Sequence, residues 1–235
     1  MRLLLTRPEA DAKRTAQRLR AHGHTVFVAP LLKIETVAAE IGDGAAIVVT
    51  SANAAQAVAA HQQRTALCRL PVFAVGARTA QAMRDAGFAE VTSADGGVGD
   101  LSRLVAARVT AGASLLYLAG ADRAGDLAGD LRTRGFAVET IVVYRAVAMT
   151  RLPDTAAVAL TDGVHGVLHF SPRSAAAYVE AARAAGQLAA ALKPAHFCLS
   201  APVAVPLRRA GAAHVHIAQR PTEAALVELI GHDRQ

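Results

Sequence analysis

A chain of 235 residues is long for one domain and comfortable for two small ones. Its 53% apolar content, mostly Ala, Val and Leu, suits helices packed on buried sheets and excludes a disordered chain. A formal charge of +6 favours an anionic partner, but the basic residues are spread along predicted helices and aromatics make up only 4%, which argues against nucleic acid.

The first apolar run, RLLLTRP (2–8), predicts a strand, EADAKRTAQRLRAHG (9–23) a helix ending at Gly23, and HTVFVAPLLKIETV (24–37) a long extended segment. AIVVTS (46–51) and PVFAVG (71–76) predict strands, each followed by a helix, over 53–63 and 78–86. After VTSADGG a helix is expected over about 99–109. The alternation restarts with SLLYLAG (114–120), a helix near 125–134, and a second long extended run, AVETIVVYRAV (137–147). Strands at 165–170, 196–200 and 214–218 follow, each leading into a helix. Short apolar runs alternating with helices predict an α/β fold with parallel sheets flanked by helices, flavodoxin- or Rossmann-like.

The chain is also written twice. LLLTRPEADAKRTAQRLRAHGHTVFVA matches LLYLAGADRAGDLAGDLRTRGFAVETI at an offset of 112, and the corner at Ser51 falls on Ser171 at 120. VGARTAQAMRDAG falls on LSAPVAVPLRRAG, and VTSADGGVGDLSRLV on VHIAQRPTEAALVEL, both at 124. Four blocks in one order imply two similar domains from one duplicated unit, not a solenoid. Ligands of such sheets gather at the carboxyl ends of the strands, where helix N-termini point, so the doubled corner predicts two walls of one anion-binding cleft.

No nucleotide loop, dinucleotide fingerprint or nucleophile elbow is present. His165 and His169 lie roughly 13 Å apart if in a strand, and the pairs His214/His216 and His196/Cys198 lack a third ligand, so no metal is expected. Cys68 and Cys198 read as small buried hydrophobes. No apolar run approaches the roughly 18 residues that span a bilayer, and MRLLLTRPEADAKR turns polar too soon for a signal peptide. A cytoplasmic protein outside the membrane is the expectation.

In TSANAA and FSPRSAA, Ser51 and Ser171 stand at or just before helix N-caps, with Pro172 suited to a first turn. Capping and anion binding use the same backbone N–H groups, and Asn53 and Arg173 offer side-chain donors for a carboxylate. Arg7, in TRPEADA, faces either solvent or ligand; Arg220, in QRPTEAA, reads as structural. Tyr144, in TIVVYRAV, is either a core residue with a tethered hydroxyl or a phenol that reaches a ligand.

The ordered set LLLTRPEADA, VVTSANAA, VFAVGARTAQAMRDAGF, LLYLAG, GFAVETIVVYRAV, HFSPRSAAAY and AQRPTEAALVELI resembles the uroporphyrinogen-III synthase family over essentially the whole chain. That resemblance implies conversion of hydroxymethylbilane to uroporphyrinogen III with loss of water, by a monomer without cofactor. Loss of the hydroxyl yields an azafulvene, ring D attacks through its substituted carbon, and a spirocyclic intermediate fragments and recloses with ring D inverted. It implies a discontinuous domain, 1–34 with 147–235, an inserted domain, 36–143, and a two-stranded bridge of segments 30–37 and 141–148 outside the ordinary sheets. Tyr144 matches the tyrosine proposed to assist departure of the hydroxyl. Thr50, Ser51 and Asn53 match one wall of the substrate site, Ser171 and Arg173 the other. Gly76 matches a glycine whose N–H approaches the ligand; its repeat partner here is Ser200, where many relatives have Gly, and Val203 stands where a hydroxyl residue is common. Arg123 is a candidate carboxylate partner. The alternative is a two-lobed binding protein for an organic polyanion, without catalysis.

Overall fold

The structure, a computed structural model, describes residues 1–123 and 125–232. In chain order the elements are β1 (Arg2–Leu5), α1 (Glu9–Ala21), β2 (Thr25–Val28), β3 (Leu32–Thr36), β4 (Ala46–Val49), α2 (Asn53–Ala59), α3 (Arg64–Leu67), β5 (Val72–Ala74), α4 (Ala77–Asp85), β6 (Val91–Ser93) and α5 (Val98–Arg108). There follow β7 (Ser114–Gly120), α6 (Leu127–Thr133), β8 (Ala137–Ala148), α7 (Asp154–Thr161), β9 (Gly166–His169), α8 (Pro172–Ala184), α9 (Leu188–Leu192), β10 (Ala195–Cys198), α10 (Ala201–Ala210), β11 (Val215–Ile217) and α11 (Glu223–His232).

The chain divides into two compact units, Met1–Lys33 with Val147–Gln235, and Ile34–Ala146. The first holds a parallel sheet of order β11-β10-β9-β1-β2. The second sheet has the order β3-β8-β7-β4-β5-β6, parallel from β8 to β6. Both faces of each sheet are covered, so the strands read as unbroken apolar runs. In β1, Leu3 and Leu5 join the core beneath α1 and α11, while Leu4 joins the core beneath α7, α8 and α10. In β4, Ile47 and Val49 pack with residues of α2 and α4, and Ala46 and Val48 with residues of α5 and α6.

The sequence repeat explains the shared topology. Through its offsets, β1, α1 and β2 correspond to β7, α6 and β8, and β4, β5 and β6 to β9, β10 and β11. Each sheet therefore combines the opening of one copy with the remainder of the other. Numbered within a copy, both sheets have the order 2-1-3-4-5, the flavodoxin-like arrangement.

Several elements differ from expectation. The extended run 24–37 is broken around Pro30, and its halves enter different sheets as β2 and β3. The helix expected over 53–63 stops at Ala59, because the His61 ring accepts the Gln63 N–H at 3.1 Å and bonds the Ala39 carbonyl at 2.9 Å, turning the chain before α3. Short β6, α7 and α9 lie where no element was anticipated. The run 141–148 begins as an ordinary sheet member, with Ile141 opposite Leu118 and Tyr144 opposite Gly120. Among the described residues no helix is long and apolar enough to cross a membrane, and no group of three or more His, Cys, Asp or Glu side chains is placed to hold a metal ion.

Candidate functional site

In a 2-1-3-4-5 sheet the connections leave strands 1 and 3 in opposite directions and open a crevice beyond their carboxyl ends. In the six-stranded sheet those strands are β7 and β4; in the five-stranded sheet they are β1 and β9. The expected site residues sort into these two strand-end groups.

Beyond β4, Thr50 Oγ1 lies 3.1 Å from the Tyr117 hydroxyl, which sits on β7 and is 5% exposed. Ser51 Oγ accepts the Asn53 N–H at 3.2 Å, at the start of α2. Gly76 heads α4 with φ −160° and ψ 167°, an extended backbone, and a side chain there would point into open space. An irregularity in register between Ala119 and Gly120 sets Tyr144 of β8 opposite Gly120. Bulges of this kind re-aim a side chain at the end of a sheet. Burial raises the pKa of the half-buried Tyr144 phenol above its ordinary 10.0, helped by Tyr117 and Asp122, while hydrogen bonding from Ser51 and the Gly120 backbone pulls it down. At neutral pH the phenol carries its proton. Arg123 is exposed in the loop after β7.

Beyond β9, Ser171 caps α8, its Oγ accepting the Ser174 N–H at 3.1 Å, with Pro172 in the first turn and Arg173 exposed beside it. Ser200 heads α10 with φ −160° and ψ 168°, the conformation Gly76 adopts in the other copy. Val203, 1% exposed, is core. Arg7 faces neither solvent nor an open crevice. Its Nη1 donates to Glu223 Oε2 at 3.0 Å and Thr15 Oγ1 at 3.1 Å, Nη2 lies 3.4 Å from Asp11, and the guanidinium stacks on Phe170 at 4.1 Å. The crevice beside β1 thus holds a carboxylate of the protein's own.

Behind this corner lies a buried polar pair. His169 Nε2 is 3.1 Å from His196 Nδ1, and His169 packs edge-on against Tyr178, whose hydroxyl donates to the Ala191 carbonyl at 2.8 Å. Burial is the leading cause that lowers His196 to about 4, with His214 adding to it and the Leu192 carbonyl opposing; burial and His196 hold His169 well below the ordinary value. Both rings are neutral near pH 7.

The family model described as uroporphyrinogen-III synthase HemD matches residues 13–228. The chain belongs to the uroporphyrinogen-III synthase family. It is a cyclising lyase of tetrapyrrole biosynthesis, converting hydroxymethylbilane to uroporphyrinogen III and water. Among solved structures, the uroporphyrinogen-III synthetase of Helicobacter pylori 26695 is similar over 100% of both chains, with TM-score 0.64 and 18% identity, a likeness of fold. A mutant uroporphyrinogen III synthase of the extremely thermophilic bacterium Thermus thermophilus aligns over 100% of this chain and 97% of its own at 17% identity, with a TM-score of 0.49 that carries no argument. Curated proteins give no match.

Three residues of this synthase escaped the sequence: Tyr117, Gly120 and Glu223. The signal for Tyr117 was a hydroxyl-bearing aromatic inside the aliphatic strand LLYLAG; the other two carried none.

Proposed function

We propose that the synthase reaction is run from the carboxyl end of the six-stranded sheet, with Tyr144 as the proton donor to the departing hydroxyl. The observation that carries this is a phenol held protonated at the β7/β4 crevice, where Ser51 and the Gly120 backbone supply hydrogen bonds to its oxygen. An oxygen that already accepts hydrogen bonds gives up its proton more readily, and its own O–H remains available to a ligand. The phenol proton leaves with the hydroxyl as water, while the adjoining pyrrole nitrogen supplies the electrons that form the azafulvene. Ring D attacks, the spirocycle fragments and recloses, and the proton lost on rearomatisation restores the phenol.

The remaining residues are proposed to hold carboxylates and fix the fold of the substrate, the step that separates the type III isomer from the uninverted one. Thr50, Ser51, Asn53, Arg123 and the N–H groups after Gly76 take this part on the six-stranded sheet. Ser171, Arg173 and Ser200 take it on the other. Arg7 is assigned to the internal carboxylate Glu223, which leaves substrate to its neighbours. We further propose a cytoplasmic monomer with no nucleic-acid partner, and segments 30–37 and 141–148 as the bridge by which the chain passes between its two domains. Supplying hydroxymethylbilane and resolving the oxidised uroporphyrin isomers tests the proposal. Predominantly type III product is expected; type I product at the uncatalysed rate would overturn it.

A further inference from the structure

The seat of Tyr144 is made by a missing side chain. A Cβ placed on Gly120 would stand 2.7 Å from Cε2 and Cζ of the Tyr144 ring and 2.8 Å from its hydroxyl oxygen. Real Cβ contacts are not that close, so any larger residue moves the ring. The backbone does not ask for glycine here, because Gly120 is not among the residues with positive φ. The local register change aims the ring at the same spot from the β8 side. Nothing equivalent exists in the other copy. The offset of 112 sets Pro8 and Leu32 in place of Gly120 and Tyr144, a rigid ring and an aliphatic side chain with no hydroxyl to aim. Only one of the two sister sheets is built to hold a phenol at its carboxyl end.

We infer that Gly120 is a positioning residue for the cyclisation: its bare Cα, together with the shift in register beside it, fixes the place of the Tyr144 hydroxyl over the end of β7. Gly120 acts through Tyr144 and touches no reacting atom. This rests on the proposal that Tyr144 donates the proton, and two variants separate the two claims. Because the ring is half-buried and can swing outward, Gly120→Ala keeps the fold and displaces the phenol.

The test measures kcat and KM for the type III reaction in Gly120→Ala, Tyr144→Phe and the double variant, with melting by circular dichroism. Gly120→Ala is expected to lower kcat about tenfold, within the range of a positioned acid–base group, with KM within about twofold and melting little changed. Added to Tyr144→Phe, it should cost nothing further. A second readout is the ultraviolet titration of Tyr144, isolated by subtracting the Tyr144→Phe spectrum. In Gly120→Ala this titration should move down toward 10, because the phenol has left its buried seat. Wild-type kcat in Tyr144→Phe alone would remove the tyrosine from the chemistry. Full loss in Tyr144→Phe with wild-type kcat in Gly120→Ala, losses that multiply in the double variant, or an unmoved titration would overturn the positioning role.

Discussion

Replacing His196 by glutamine removes a buried titrating ring while keeping a polar side chain, and its effect can be worked from the structure. His196 is fully buried, with a pKa of about 4 against 6.5 for the free ring. The folded protein therefore binds this proton more weakly than the unfolded chain. The stability this represents is fully present above pH 6.5 and is lost as pH falls toward 4. Linkage gives a loss of about 2 kcal/mol by pH 5 and a limit of about 3 kcal/mol from this ring alone, at roughly 1.4 kcal/mol per pKa unit. Urea unfolding followed by circular dichroism between pH 8 and pH 5 measures it. The six-stranded unit is common to both proteins, so its own pH dependence cancels in the difference. Wild type should lose about 2 kcal/mol more than His196→Gln over that range. Parallel pH dependence in the two proteins, or a His196 ring titrating near 6.5 by NMR, would refute the reasoning.

Tyr144→Phe should reduce kcat at least about tenfold with unchanged melting, as measured by isomer-resolved turnover. Because burial raises the Tyr144 pKa, any alkaline fall in kcat due to this phenol should appear above pH 10 and vanish in the phenylalanine variant. Gly76→Ala should leave stability intact, since Ser200 holds the same backbone conformation with a side chain, and should raise KM several-fold by filling space before α4. Arg7→Ala strands Glu223, and with side chains 16% and 24% exposed the loss should be about 2 kcal/mol of stability, below that of a wholly buried pair. A raised KM at unchanged melting would instead make Arg7 a substrate residue.

The parts of this fold legible in the sequence are those whose physics is local. Ile47, Val48 and Val49 announce a strand covered on both faces, and Pro172 behind Ser171 announces a helix start. The duplication was legible because four blocks kept their order. Even the sheet order follows from it once one sheet is known. What stayed hidden depends on contacts distant in sequence. β6 has three half-buried residues and no apolar run to mark it. Pro30 divides what reads as one extended segment, but which sheet each half joins is decided by partners elsewhere. Arg7 looked like a ligand-facing cation because Glu223, its partner, lies 216 positions along the chain. Gly120 carries no chemistry of its own, and only the ring packed above it shows why a side chain would not fit.

The interleaved ancestry of the two sheets has a consequence for synthesis on the ribosome. The six-stranded unit is drawn almost wholly from one continuous stretch, so it can close as soon as its last strand emerges. β1 has no such freedom, because Leu3 pairs with Gly166. At ~5–20 residues per second, the nascent β1–α1–β2 segment waits roughly ten to thirty seconds for β9, with one strand edge bare. A chain cut short just after β8 would thus carry one finished lobe and one sticky stub, and it is that stub which chaperones would have to shield.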